Sequence, residues 1–450
     1  MVEESMYLEQ IKTDRFNIKN FTINLVNQNY LNWFSDKDVA KFISFKPKNL
    51  LDLRQNVKKT LNKKNLIFLS IFSQKNKHIG NLKIHNIDFH KNEAWLGILI
   101  GNRKFRGIGL AREVIENVKI HLVKKKIYFL KLNVHRNNKA AISSYLKAGF
   151  IIVKKFKNFF TMSCNIYTKK IILGLAQLQS IYGVTNTKKK KLSIKESVSI
   201  LNQFKNSQIT ELDTALTYPL NIDLLKFVKK NIYLNTKLLT SDIHQFKQFI
   251  NYLNKIKRSK NIYINTIFIH DGNNLLTKNG SKMFNKILSL KKKEIIKKVG
   301  VSFHNFNNFK KIINSYKIDV VQIPYSAVDR RAKKYFKFLK QKNIEIQVRS
   351  IFLQGALLSK IKSNLKLSQI YQKMNLKKIN DRANILFSFV LKDINIDKII
   401  IGVRQVNELK MILNFNKFIF NNKIISNLQT NDLDVIDPLN WDELNYHEKK

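Results

Sequence analysis

The chain has 450 residues, 44% of them hydrophobic, and a formal net charge of +51. That length exceeds one ordinary domain and that apolar content supports real cores, so disorder is excluded and two domains are expected. A single cysteine, Cys164, excludes an internal disulfide and points to a reducing compartment, and no apolar run is long enough to span a bilayer.

The opening MVEESMYLEQ has neither a basic n-region nor an apolar h-region, so no secretion signal is expected and a cytoplasmic location is. Strand-like runs then meet one another directly: LIFLSIF, HIGNLKIHNI and AWLGILIG. The stretch GILIGNRKFRGIGLAREVIENVKIHL passes from a strand into a helix, with Arg106, Gly107, Gly109 and Ala111 at the junction. Glycines let backbone N–H groups close on phosphate oxygens, and the helix N-terminus adds a favourable dipole. A plain strand-to-helix turn reads the same way. Further on, NKAAISSYLKAGF sets Asn138, Tyr145, Gly149 and Phe150 in order.

The two stretches together resemble the acyl-CoA site of the GCN5-related N-acetyltransferases. Arg106, Gly109 and Ala111 fall on that family's Gln/Arg-x-x-Gly-x-Gly/Ala pattern, and Asn138, Tyr145, Gly149 and Phe150 on its Asn-x-x-Ala…Tyr…Gly-Phe segment. YLNWFSDKDVAKFI looks like the RimJ/RimL branch and its sugar-acetylating relatives. The resemblance covers roughly residues 6 to 168 and implies a mixed α/β sheet domain over 1–168 that takes acetyl-CoA. It implies direct transfer: an amine attacks the thioester carbonyl, backbone N–H groups hold CoA, and Tyr145 protonates the leaving thiolate. The ordinary alternative for Tyr145 is an aromatic that packs a helix against the sheet. No general base is legible. Glu93 and His90 in DFHKNEAWLG are candidates, Trp95 stands where some relatives carry a glutamate, and water is a further relay.

Near residue 168 the rhythm changes, and short apolar runs begin to alternate with helical stretches such as IKESVSILNQF and RAKKYFKFLKQ. Eight runs follow: KIILGLAQL, ITELDTAL, NIYLNTKL, INTIFIHD, IKKVGVSF, IDVVQIPY, IEIQVRSIF and DKIIIGV. Eight β/α units suit a (β/α)8 TIM barrel over residues 169–450. An open doubly wound sheet is the alternative, but no glycine fingerprint follows any of the runs. Asp213 and Tyr218 end the second run, Lys237 the third and His270 the fourth. Lysine and histidine at the tips of apolar strands are costly without partners. A phenol has an ordinary pKa near 10, and a nearby ammonium held by a carboxylate lowers it. Tyr218 thus reads as an acid, Lys237 as its tuner, Asp213 as the holder of the lysine, and His270 as the group that directs a carbonyl. Each residue alone has an ordinary reading as surface lysine, capping carboxylate or satisfied histidine.

This constellation resembles the aldo-keto reductase family, over about residues 169 to 442. ILGLAQLQSIYGVTN looks like its first strand and LDTALTY matches its Asp-Thr-Ala-x-x-Tyr. The resemblance implies NADPH or NADH as cofactor. It places Ser302 and Gln322 on the nicotinamide amide, Arg349 and the segment that follows it with the cofactor at the pyrophosphate, and Gly402, Val403, Arg404 and Glu408 on the adenosine phosphate. Arg404 suggests NADPH. The chain departs from the family at Pro219, where glycine is usual, and at Arg349, where many members stack an aromatic on the nicotinamide. Phe303 and Ile412 stand where asparagines are common.

A charge of +51 invites nucleic acid, but lysine is spread throughout alongside Asn and Ile, and arginine is scarce. Nucleic acid and metal are not expected as partners; small polyanions such as CoA, NADP or a nucleotide sugar are. An acyltransferase joined to a carbonyl reductase suggests two steps on one pathway, with nucleotide sugars of bacterial surface glycans as the expected substrates. One alternative is a RimJ/RimL-like protein acetyltransferase fused to a reductase of separate role. Another makes the barrel an NADPH sensor.

Overall fold

The computed structural model describes residues 7–441 apart from 14, 182–189, 219–221, 229, 240–242, 258–260, 360–364 and 416–420. Pro219 and the Tyr182-Gly183 pair lie outside the described residues. The chain divides into two compact units, Met1–Tyr167 and Thr168–Lys450. Among the described residues no helix is long and apolar enough to cross a membrane.

The first unit is built on one eight-stranded sheet. Its strands are β1 (Ile11–Lys12), β2 (Phe16–Asn20), β3 (Ile67–Ser73), β4 (His78–Asp88), β5 (Glu93–Ile100), β6 (Phe129–His135), β7 (Ile151–Lys155) and β8 (Phe159–Asn165), in the order β1-β2-β3-β4-β5-β6-β8-β7. Every neighbouring pair is antiparallel except β5 and β6. These two pair in parallel only over Glu93–Trp95 and Phe129–Lys131, so no ladder joins them further along. Apolar residues alternate through β4 and β5, with Leu82, Ile84, Ala94 and Leu96 buried. The helix Leu110–Lys124 buries Leu110, Val114, Val118 and Leu122, a spacing of four that makes one continuous stripe. A second cluster gathers Phe21, Tyr30, Trp33, Leu53, Val57 and Phe68 around the helices Gln28–Ser35 and Leu50–Leu61, which Asn27 and Asn49 cap.

The second unit is a closed barrel of eight parallel strands. They are β9 (Ile171–Gly174), β10 (Glu211–Asp213), β11 (Ile232–Leu238), β12 (Ile262–Ile269), β13 (Lys298–Ser302), β14 (Val320–Pro324), β15 (Glu345–Arg349) and β16 (Lys398–Gly402). β16 closes on β9, with Ile400 opposite Ile172 and Gly402 opposite Gly174. These are the eight apolar runs read from the sequence. Helices follow most strands, but after β10 the described chain forms only the 3-10 turn Ile222–Phe227. The N-terminal end of the barrel is plugged by ion pairs rather than by aliphatic side chains. Lys398 pairs with Glu211 and Lys298 with Glu345. Asn235 reaches the Glu211 carboxylate at 3.4 Å and Gln347 that of Glu345 at 2.9 Å.

Candidate active sites

The tips of β10 to β16 converge on one cavity of about 300 Å³. The strand register brings Asp213, Tyr218, Lys237 and His270 to it together. Asp213 is the last residue of β10 and Lys237 the penultimate residue of β11, and they are 5% and 4% exposed. Lys237 Nζ lies 2.5 Å from Asp213 Oδ1 and donates to the Thr214 carbonyl at 3.3 Å. The second carboxylate oxygen of Asp213 accepts from Gln322 Nε2 at 2.9 Å. A buried carboxylate so held is fixed in position, and it fixes the ammonium. Burial pushes the Lys237 pKa below its ordinary value, and Asp213 opposes that shift.

The half-buried Tyr218 stands beside this pair, its ring centroid 5.9 Å from Lys237 Nζ. The segment that carries it is anchored by the barrel. Leu216 N–H donates to the Lys237 carbonyl at 3.1 Å and Tyr218 N–H to that of Ala215 at 3.0 Å. His270 follows β12 directly, and its backbone N–H donates to Leu238. Burial, then Lys237 and Arg349, push its pKa down to about 3, so its ring is neutral at pH 7. Its Nδ1 is buried without a hydrogen-bond partner among the described residues. His304, which the sequence reading passed over, lines the same cavity. No local pattern marks it; it is brought there by the turn after Ser302.

The cavity continues past Gly402 and Val403 to the N-terminus of the helix Val406–Leu413. There Arg404 Nη2 donates to the Lys190 carbonyl at 2.8 Å, while Nη1 is buried without a partner among the described residues. Glu408 instead caps its own helix, accepting from the backbone N–H groups of Arg404 at 2.6 Å and Gln405 at 3.3 Å. In the loop after β15, Ser350, Leu353 and Gln354 hold φ of 62°, 44° and 54°, a conformation that residues other than glycine adopt rarely, and Ser350 and Gln354 line the same cavity. An unpartnered guanidinium nitrogen, a helix N-terminus and a tightly wound loop along one groove fit a dinucleotide cofactor. Ser302 ends β13, buried, at the same cavity. Gln322, expected on the nicotinamide, uses its amide nitrogen on Asp213.

In the first unit the chain leaves β5 through Gly107 and Gly109, at φ +78° and +83°, and enters the helix Leu110–Lys124. A Cβ at Gly107 would meet nothing within 4 Å, so the requirement is for the backbone angle and not for space. The turn ends on the N-terminal N–H groups of a 15-residue helix, beside Ala111. Arg106 braces this turn from behind. Its Nε and Nη2 donate to the carbonyls of Ile100 and Gly101 at 2.9 and 2.7 Å, and Nη1 pairs with Asp36 at 3.0 Å. From Gly97 to Ile100 the strand is half-exposed and has no ladder partner in β6.

Asn138 caps the helix Lys139–Lys147 by accepting from Ala141 N–H at 3.1 Å. Tyr145 is 7% exposed, its ring 5.8 Å from that of Phe150, and burial pushes its pKa up to about 12. The two candidates for a base, Glu93 and His90, sit at the other end of β5 from the glycine turn, roughly 23 Å of strand away. Glu93 is paired there with Lys131 at 2.7 Å. Among the described residues no three His, Cys, Asp or Glu side chains group as metal ligands.

Comparison with known proteins agrees with this architecture. The Aldo/keto reductase family matches residues 170–431, and the Acetyltransferase (GNAT) domain matches residues 15–151. No curated protein matches the chain. Among solved structures, the aldo-keto reductase AKR11C1 from Bacillus halodurans is 15% identical, with a TM-score of 0.46, covering 63% of this chain and 96% of its own. The spermidine N-acetyltransferase of Vibrio cholerae is 14% identical with a TM-score of 0.30, covering 35% of this chain and 96% of its own. The AAC(6')-Ib structure with acetyl-CoA is 15% identical with a TM-score of 0.31, covering 34% and 94%. The chain belongs to the Aldo/keto reductase family and carries a GNAT acetyltransferase domain ahead of its barrel, which makes it an enzyme of two activities.

Proposed function

We propose that residues 169–450 reduce a carbonyl at the expense of NADPH, and that residues 1–168 transfer an acetyl group from acetyl-CoA to an amine. The observation that carries the first half is the Lys237–Asp213–Gln322 chain, buried beside Tyr218 in a cavity shared with a neutral His270. Tyr218 gives its hydroxyl proton to the carbonyl oxygen, and the Lys237 ammonium stabilises the phenolate that remains. Asp213 holds that ammonium in place. His270, neutral at pH 7, donates one N–H to the same oxygen and fixes its direction. When bound, the nicotinamide supplies the hydride that the carbonyl carbon accepts. Ser302, Gln322, Gly402, Arg404 and the loop after Arg349 would hold it, and the buried, unpartnered Arg404 Nη1 favours the extra phosphate of NADPH over NADH.

In the first domain the backbone N–H groups of Gly107, Gly109 and Ala111 would hold the pyrophosphate of CoA, with the half-exposed end of β5 for its arm. The amine nitrogen bonds to the thioester carbon, the C–S bond breaks, and Tyr145 returns a proton to the thiolate. Its pKa near 12 keeps that proton on the phenol at physiological pH. Glu93 is set aside as base by its place in the strand, so water carries the amine proton away.

Reduction and N-acylation on one chain support nucleotide sugars, with a keto group at one step and an amino group at another, as the substrate class. Tyr218→Phe should lower reduction by roughly 10³-fold and leave acetyl transfer intact, and Tyr145→Phe should slow only the transfer, both at the scale of general acid catalysis. Should each change abolish both activities, the assignment of separate sites fails. Incubation with acetyl-CoA and either amino-sugar nucleotides or peptides, read by intact mass, tests the acceptor; acetylated peptide alone sinks the sugar assignment.

A further inference from the structure

The barrel cavity carries a cation that has no counter-ion among the described residues. Arg349, half-buried, ends β15. Its Nη2 donates to the Phe303 carbonyl at 3.2 Å and stands 3.1 Å from His304 Nδ1, and its Nη1 donates to Ser350 Oγ at 3.3 Å. All three acceptors are neutral. Two carboxylates line the cavity among the described residues, and both are engaged elsewhere. Asp213 is held by Lys237 and Gln322, and Glu408 by the backbone N–H groups of its own helix. A guanidinium removed from water without an anion is costly, and five donors in a planar fork match a carboxylate or phosphate.

His304 completes the site. An arginine can only donate, so His304 Nδ1 is the acceptor and its proton sits on Nε2. The guanidinium and burial push its pKa down to about 3, so the ring is a neutral donor at pH 7. The His304 ring centroid lies 6.1 Å from that of His270, the group assigned to the carbonyl oxygen. A small molecule can therefore reach both.

We infer that Arg349 and His304 form an anion subsite, and that the substrate reduced in this barrel carries a carboxylate or phosphate a few bonds from its carbonyl. The inference rests on the reading of the barrel as a carbonyl reductase. It assigns Arg349 to the substrate, where the family resemblance placed it with the cofactor.

The test uses the full chain with NADPH and four aldehydes: glyoxylate, glyceraldehyde 3-phosphate, and the neutral glyceraldehyde and benzaldehyde. The wild type should prefer one of the two anionic compounds, and which one identifies the anion. Arg349→Leu should lower the ratio of kcat/KM for the anionic compound to that for glyceraldehyde by about 100-fold, chiefly through KM, as expected for loss of a desolvated charge pair. Arg349→Lys should lower it about 10-fold, because the fork is lost and the charge is kept. A ratio unchanged in both variants overturns the subsite. Calorimetric titration with oxalate and with inorganic phosphate decides the matter independently of turnover. One of them should bind the wild type and bind Arg349→Leu about 10-fold more weakly or worse. Equal binding to both proteins overturns the inference. Should no aldehyde be reduced, the reductase reading fails, while the titration still decides the subsite. If Arg349→Leu does not fold, Arg349→Lys and His304→Gln provide the same comparison.

Discussion

Two imidazoles in the barrel cavity behave alike for related reasons. His270 is held near 3 mainly by burial, then by Lys237 and Arg349, and His304 mainly by Arg349, then by burial. Neither gains a proton between pH 5.5 and 8. The rate of carbonyl reduction, measured as kcat/KM, is therefore expected to show no inflection near 6.5 across that range; one there would place a protonated histidine in the mechanism. The same shifts link to stability. In the unfolded chain both rings take up protons near pH 6.5, and in the folded barrel they do not. The unfolded state thus binds more protons as pH falls, and their contribution, full above about 6.5, drains away toward pH 3. At this scale the sequence was informative where a residue type is forced by local geometry, as with Gly107 and Gly109. It was silent on His304 and on Asp36, the partner of Arg106, because both owe their place to long-range contacts.

The strands of the barrel do two jobs at their two ends. Their C-terminal tips hold the cavity, and their N-terminal ends hold the ion pairs Lys398–Glu211 and Lys298–Glu345. Burial raises the Glu345 pKa, but Lys298 and the bonds from Gln347 and Lys298 outweigh it and leave the carboxyl below its ordinary range. Lys398 and Glu211 are 22% and 13% exposed, mostly out of solvent. Lys398→Met would leave the Glu211 carboxylate largely buried without its cation. The expected loss is about 2–3 kcal/mol, just below the range for a fully buried pair, read by urea denaturation. No loss would mean that water already solvates the pair. Whether a strand-end lysine belongs to the site or to this floor is decided by which end of the strand it occupies. Lys237, near the end of β11, and Lys298, at the start of β13, show the two outcomes.

The whole chain carries +51 over 450 residues, and its expected small-molecule partners are polyanions. A field of that sign raises the local concentration of such ligands and is screened over about 8 Å at physiological salt. The KM values for acetyl-CoA and NADPH should therefore rise several-fold between 50 and 300 mM KCl at constant pH. KM values insensitive to salt would show that local contacts alone set affinity. Each of the two compact units has its own hydrophobic core and its own cavity or glycine turn, so the two activities do not need to share residues.

By itself, the sequence determined the kind of each unit. The spacing of apolar runs dictated eight parallel strands after residue 168, and the Gly-x-Gly turn marked the left-handed backbone that leads into a long amphipathic helix, because both follow from local backbone requirements. The four residues on successive strand tips could be named in advance because a barrel sends every strand's C-terminal end to one face. Only the tertiary structure decided the use of each polar group once assembled. It turned Gln322 onto Asp213, Glu408 onto its own helix, Arg106 onto Asp36, and left Arg349 without an anion among the described residues. Partner choice among buried charges depends on distances of a few ångströms across residues far apart in the chain, and that information is absent until the barrel closes.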